Sequence, residues 1–159
     1  MSTPWKDAED AFWTWLATAA RLPTDLKIYK SHEGKGLPFF ETPELFRNAQ
    51  AMPAMWLNLA SLEPEIQGAG SVLDYTEYTG GLAYNVPPDA TTRDTFEALV
   101  DAIRNAILGG MTAGVDEIDL HELSRETLRV IVPPGKFAPV LGYVWEFRLR
   151  FGYTAHHTP

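Results

Sequence analysis

The sequence predicts one α+β domain, a two-layer sandwich in which two main amphipathic helices cover one face of a mostly antiparallel or mixed sheet of four to five strands. Three observations lead there. From Val140 to Tyr153 the residues alternate strictly: Leu141, Tyr143, Trp145, Phe147, Leu149, Phe151 and Tyr153 share one side, and Val140, Gly142, Val144, Glu146, Arg148, Arg150 and Gly152 share the other. A period of two is that of a strand with one face on a core and the other on water or a polar partner. Phe96, Leu99, Val100, Ile103 and Ile107 recur at intervals of three and four, the stripe of a helix resting on an apolar surface. The order of elements along the chain is helix, three strands, helix, two strands.

The first helix is punctuated at its start. Ser2 or Thr3 can cap it, Pro4 suits its first position, and Asp7, Glu9 and Asp10 lie near the positive end of its dipole. Trp5, Ala8, Phe12, Trp15, Leu16 and Ala19 form its stripe, Trp13 falls off that stripe, and Pro23 ends the element. Leu26 to Tyr29 reads as a short strand, and 31–38 as a turn-rich loop. Residues 39–51 are ambiguous, with Thr42-Pro43-Glu44 a possible helix start. Ala54 to Ala60 reads as a strand led by Pro53, 67–71 as a turn, and Val72 to Val86 as a long strand antiparallel to it, with Gly80-Gly81 suggesting a bulge or bend. Thr91 and Asp94 resemble a capping box for the helix running to Leu108, which Gly109-Gly110 stops. Residues 115–123 are mixed and acidic, with a short helix one reading. Thr127 to Val132 is a strand, and Pro133-Pro134-Gly135 turns the chain into the final one.

The chain of 159 residues is long enough to bury a core as a single domain, with a frayed tail expected over about 154–159. It contains no cysteine, which excludes disulfides, thiolate catalysis and Cys-ligated zinc. Its start, Met1 to Lys6, lacks the basic and apolar regions of a signal peptide, and no apolar run suits a bilayer. The net charge of -8 repels a phosphate backbone, which disfavours a nucleic-acid binder while suiting a protein past which DNA must slide.

Motifs that carry chemistry are weak. Ser31-His32-Glu33 places three catalytic residue types side by side, where neighbouring side chains diverge, and a polar loop explains them better. Gly34-Lys35-Gly36 lacks the frame of a phosphate loop and reads as a positive loop tip suited to an acidic surface. Asp116, Glu117, Asp119, His121 and Glu122 miss the calcium-loop spacing, so a solvated acidic face is the better reading. His156-His157 belongs to the tail. The expectation is no catalytic residue, no metal and no cofactor. Trp13, Trp56, Tyr75, Tyr78 and Tyr84 have two readings, core or contact surface.

The succession of a capped helix, the Pro-led strand Pro53-Ala54-Met55-Trp56-Leu57-Asn58-Leu59, a long strand ending in Tyr84-Asn85-Val86-Pro87-Pro88, the helix Thr91–Leu108 and two closing strands resembles the tail-terminator (tail-completion) proteins of long-tailed bacteriophages. Residues 30–51 and 110–125 have no clear counterpart in that pattern. The resemblance implies a non-enzymatic virion protein, made in the bacterial host cytoplasm and located in the tail. Such a protein forms a homohexameric ring that caps the tail tube, stops its polymerisation and joins head to tail. Its partners would be itself, the tail tube protein and neck or head–tail connector proteins, with DNA only as passing cargo and no membrane. Under this reading Trp13, Lys35, Trp56, Tyr75, Tyr78 and Lys136 are interface candidates, and loops 31–38, 67–71 and 133–139 dock on neighbours. Asp94, Glu97 and Asp101, or the acids of 116–122, line the lumen. Two alternatives stand beside it: another phage neck or head-completion protein, and a small-molecule-binding α+β domain.

Overall fold

The alternation in the last strand has the consequence expected of it: every second residue from Trp145 to Tyr153 is buried under helices, while Glu146, Arg148 and Arg150 are half-buried on the opposite face. The computed structural model describes residues 4–30, 53–68, 71–85, 90–109, 120–132 and 142–156. Its elements are α1 (Pro4–Ala19), β1 (Lys27–Tyr29), β2 (Ala54–Gly68), β3 (Ser71–Asn85), α2 (Ala90–Leu108), β4 (Leu120–Ile131) and β5 (Gly142–His156). The five strands form one mixed sheet in the order β1-β2-β3-β5-β4. Only β1, which aligns Lys27 with Ala54, is parallel to its neighbour. Both helices join one apolar cluster with the same face of the sheet, which is the α+β sandwich predicted.

The core follows from three periodicities meeting. Phe12 and Leu16 of α1 and Phe96, Val100, Ile103 and Ile107 of α2 lie against Met55, Leu57, Tyr78, Leu82, Trp145, Phe147, Leu149 and Phe151. The Phe12 ring stands 5.0 Å from Phe151, and Trp145 stands 4.5 Å from Phe147. Each large side chain removed from water here stabilises by roughly 1.5–3 kcal/mol as an upper figure. The opposite face carries a second, smaller cluster of Ala54, Trp56, Ala83, Ile131 and Val144, with Tyr29 packed against it.

Several boundaries differ from the sequence reading, each for a tertiary reason. β2 continues to Gly68 because β3 pairs with it along its length, Ala54 opposite Ala83 and Ile66 opposite Val72. Pro64 pairs with Asp74 in that extension, and no described strand lies on the other side of β2 beyond Trp56, the edge setting in which a proline is tolerated. β4 begins at Leu120, so the part of the 115–123 stretch that the structure describes is strand, not helix. β5 continues through Thr154, Ala155 and His156, paired with Leu73, Val72 and Ser71, where a frayed tail was expected. α2 starts at Ala90, which puts Thr91 inside its first turn and Asp94 just past it, instead of at its cap.

Gly80 and Gly81 make no bulge. They pair in register with Leu57 and Trp56, and the irregularities fall at 59–61, 66–68 and 124–127. The glycines are required by space. A Cβ on Gly80 would lie 2.7 Å from Phe147 and Leu57 on the helix side, and one on Gly81 would lie 2.2 Å from the Trp56 ring on the other side. The end of α1 is also set differently from expectation. Arg21 takes φ 51, and the N–H of Leu22 donates to the carbonyl of Ala17 at 3.1 Å, closing a Schellman turn before Pro23 is reached.

The free edge of β4 as candidate functional site

Among the described residues β4 is the last strand of the sheet, bonded to β5 on one side only. Its middle is interrupted. Ser124 pairs with Arg148 and Thr127 with Glu146, so Arg125 and Glu126 both stand opposite Phe147. Arg125 adopts φ 52, the left-handed region that a bulge of this kind ordinarily gives to glycine. The extra residue turns Glu126 toward α2. There its carboxylate accepts from Nε of Arg104, from Nη2 of Arg104 at 3.0 Å, and from the Trp145 indole N–H at 3.2 Å. The carboxylate raises the Arg104 pKa from its ordinary value through that hydrogen bond and its charge. One bulge thus ties the edge strand, the neighbouring helix and a core tryptophan together. A cavity of about 290 Å³ sits at this junction, lined by Val100, Asp101, Arg104, Glu126, Thr127, Leu128 and Trp145.

Past the bulge the helix-side face of β4 extends beyond the cover of α2. Leu128 is 62% exposed and Val130 50%, and Val132 follows at 46%. An apolar ridge beside an unpaired strand edge is a ready surface for another chain.

The face away from the helices is ionic at its centre. Arg148 Nη1 donates to Glu77 at 2.8 Å, Arg129 pairs with Glu146, and the Arg150 guanidinium lies 3.9 Å from the Tyr75 ring centroid. An open groove of about 470 Å³ runs among Glu77, Glu122, Ser124, Arg125, Arg148 and Arg150. These charges largely satisfy each other, as opposite charges placed across neighbouring strands do.

The residues singled out from sequence do not come together in one site. Trp13 is buried in the core, where Glu9, read from sequence as one of the acids near the positive end of the helix dipole, is also buried and accepts from the Trp13 indole N–H at 3.4 Å. Trp56 is buried over Gly81 on the far face, and Tyr78 is buried beneath α1; all three, named as interface candidates, are thereby removed from the exposed surface. Tyr75 is half-buried under Arg150, and Tyr84 packs on Phe96 at 6.0 Å. Lys35, Lys136, Asp116, Glu117, Asp119 and the loops 31–38 and 133–139 lie outside the described residues. Of the acids on α2, Asp94, Glu97 and Asp101 are exposed, with Glu97 accepting from Arg93 at 2.9 Å and Asp101 lining the junction cavity. Glu122 is exposed on β4.

Beneath α1 the Tyr78 hydroxyl lies beside Glu9 and Thr76 without meeting hydrogen-bonding geometry to either. Burial, and then the charge of Glu9, push the Tyr78 phenol far above its ordinary value. Burial and Asp25 raise Tyr84 as well. Among the described residues no group of three or more His, Cys, Asp or Glu is placed to hold a metal ion, and no helix is long and apolar enough to cross a membrane.

The residues that matter most at the edge, Glu126, Leu128, Arg129 and Val130, drew no attention in the sequence. The available signal was the alternation of Leu128, Val130 and Val132, which marks a strand but does not say that it ends a sheet. No protein-family model matches this chain, and no curated protein matches it.

Proposed function

We propose that the chain is a structural subunit of a phage virion, of the tail-terminator kind. It closes into a ring, taken as a hexamer, caps the tail tube, ends tube polymerisation and offers the surface to which neck proteins attach while DNA passes. The observation that carries this reading is the free edge of β4 with its ridge of Leu128, Val130 and Val132. A head-to-tail contact generates a ring when its rotation closes, and an apolar strand edge supplies such a contact. The exposed acids Asp94, Glu97 and Asp101 on α2 are the lumen candidates, since a negative lining limits adhesion of DNA. The charged groove on the ionic face is the feature that favours a small-molecule site instead. Its Arg148 and Glu77 already neutralise each other, which leaves less for a ligand.

The test is negative-stain imaging of the purified chain, alone and mixed with polymerising tail tubes. Annuli at tube tips and tubes of limited length are expected, with both lost in a Leu128→Glu, Val130→Glu variant that keeps its circular dichroism. Tubes whose length and tips are unchanged by the chain overturn the reading.

A further inference from the structure

The edge strand is written as its own complement. From Glu122 to Arg129 it reads Glu-Leu-Ser-Arg-Glu-Thr-Leu-Arg. Laid antiparallel against a second copy about a two-fold axis between Arg125 and Glu126, Glu122 meets Arg129, Leu123 meets Leu128 and Ser124 meets Thr127, with the two bulge residues flanking the axis. We propose that β4 pairs with β4 of a second copy of this chain in that register, joining two five-stranded sheets into one.

The faces agree with the pairing. Glu122, Ser124, Thr127 and Arg129 align across β5 with Arg150, Arg148, Glu146 and Val144, all on the face away from the helices. Leu123 and Leu128 align with Leu149 and Trp145 on the helix side. Opposite charges therefore meet on the ionic face and leucines meet on the apolar one, twice each by symmetry. This agreement depends on the bulge. Without the extra residue at 125–126, the two halves of the octet would sit on mismatched faces, since one step along a strand turns every side chain over. With a bulge in each copy, both halves return to register at the axis. The residues required are accessible: Glu122, Leu128 and Arg129 are exposed. A second copy would cover Leu128, which is now 62% exposed, and would pair the open backbone of the edge.

This dimer goes beyond the capping reading and uses the same edge. A head-to-tail ring built through β4 has to open the dimer first, so self-pairing would hold free subunits in reserve. The inference does not need the ring to be true.

Sedimentation velocity over a concentration series tests it. Wild type is expected to dimerise reversibly. Glu122→Arg and Arg129→Glu, singly, each place like charges opposite one another at two symmetric positions and are expected to weaken the dimer about thirtyfold. The double variant Glu122→Arg, Arg129→Glu restores complementarity and is expected to recover dimerisation to within about threefold of wild type. A monomeric wild type at every concentration, or a folded double variant no better than the singles, overturns the proposal. A label on Thr127→Cys, in a chain otherwise without cysteine, gives a second readout. Across the bulge Ser124 and Thr127 stand two ladder steps apart, which places the two backbones at residue 127 about 8 Å apart, so intermolecular dipolar broadening is expected and its absence overturns the register.

Discussion

Gly81→Ala is a one-carbon change whose cost is set by a single contact. The added Cβ would stand 2.2 Å from Cζ2 and 2.5 Å from Cη2 of Trp56, against an ordinary separation of about 3.5–4 Å between carbons. Trp56 is held among Ala54, Ala83, Ile131 and Val144 and is only 5% exposed, so the ring cannot move aside without disturbing a packed cluster. Overpacking of this kind costs about 1–3 kcal/mol. In a chain of this size each kcal/mol lowers Tm by about 2–4 °C. Trp56→Leu alone also destabilises, by lost burial, but it removes the six-membered ring that the new methyl strikes. Gly81→Ala placed on Trp56→Leu should therefore cost little. The double-mutant cycle, measured by urea unfolding at constant slope, should give a coupling of at least about 1 kcal/mol. Strict additivity of the two substitutions, or a neutral Gly81→Ala, would show that the close approach of ring and backbone is not what selects glycine at this position.

Stability should fall at alkaline pH through Tyr78. Its folded-state pKa is raised, so both states keep the phenolic proton below pH 10, while above it the unfolded chain releases the proton first. Unfolding is then favoured by up to about 1.4 kcal/mol for each further pH unit. Tyr78→Phe should make the decline shallower without abolishing it, because Tyr84 is shifted in the same direction; identical slopes for the two proteins in denaturant titrations from pH 9 to 11 would refute this. Arg21 and Arg125 hold left-handed backbone at φ 51 and 52, so Arg21→Gly and Arg125→Gly should each stabilise by up to about 1 kcal/mol. The corresponding valine variants should destabilise, and a valine that melts at or above wild type would contradict the strain.

What the sequence made legible was whatever depends on one element at a time. The period of β5, the stripe of α2 and the Pro4 start of α1 are local patterns, and each yielded the right element. Facts that belong to pairs of elements were not legible. Trp13 looked misplaced because it falls off the apolar stripe of its helix; only the packed helix shows it buried together with Glu9, four residues earlier, and joined to it by a hydrogen bond. Gly80-Gly81 signalled a break because glycine usually marks one, whereas here the reason is the width of rings arriving from both faces. The start of β4 was hidden by acidic residues that a half-covered edge strand tolerates and an interior strand would not. The octet at the edge was plain as letters, but its symmetry acquires meaning only once strand order and bulge position are known.

Strand order has a temporal consequence too. β5 leaves the ribosome after the other four described strands, yet it is not an edge: it lies between β3 and β4, and its Arg148 bonds Glu77, 71 positions earlier. The β2–β3 hairpin is therefore translated with the apolar side of an inner strand still missing. At roughly 5–20 residues per second, several seconds pass between the emergence of that hairpin and the arrival of its neighbour. The sheet is joined at its middle only after that wait, and a ribosome stalled before β5 would hold a chain whose β3 and β4 have no strand between them.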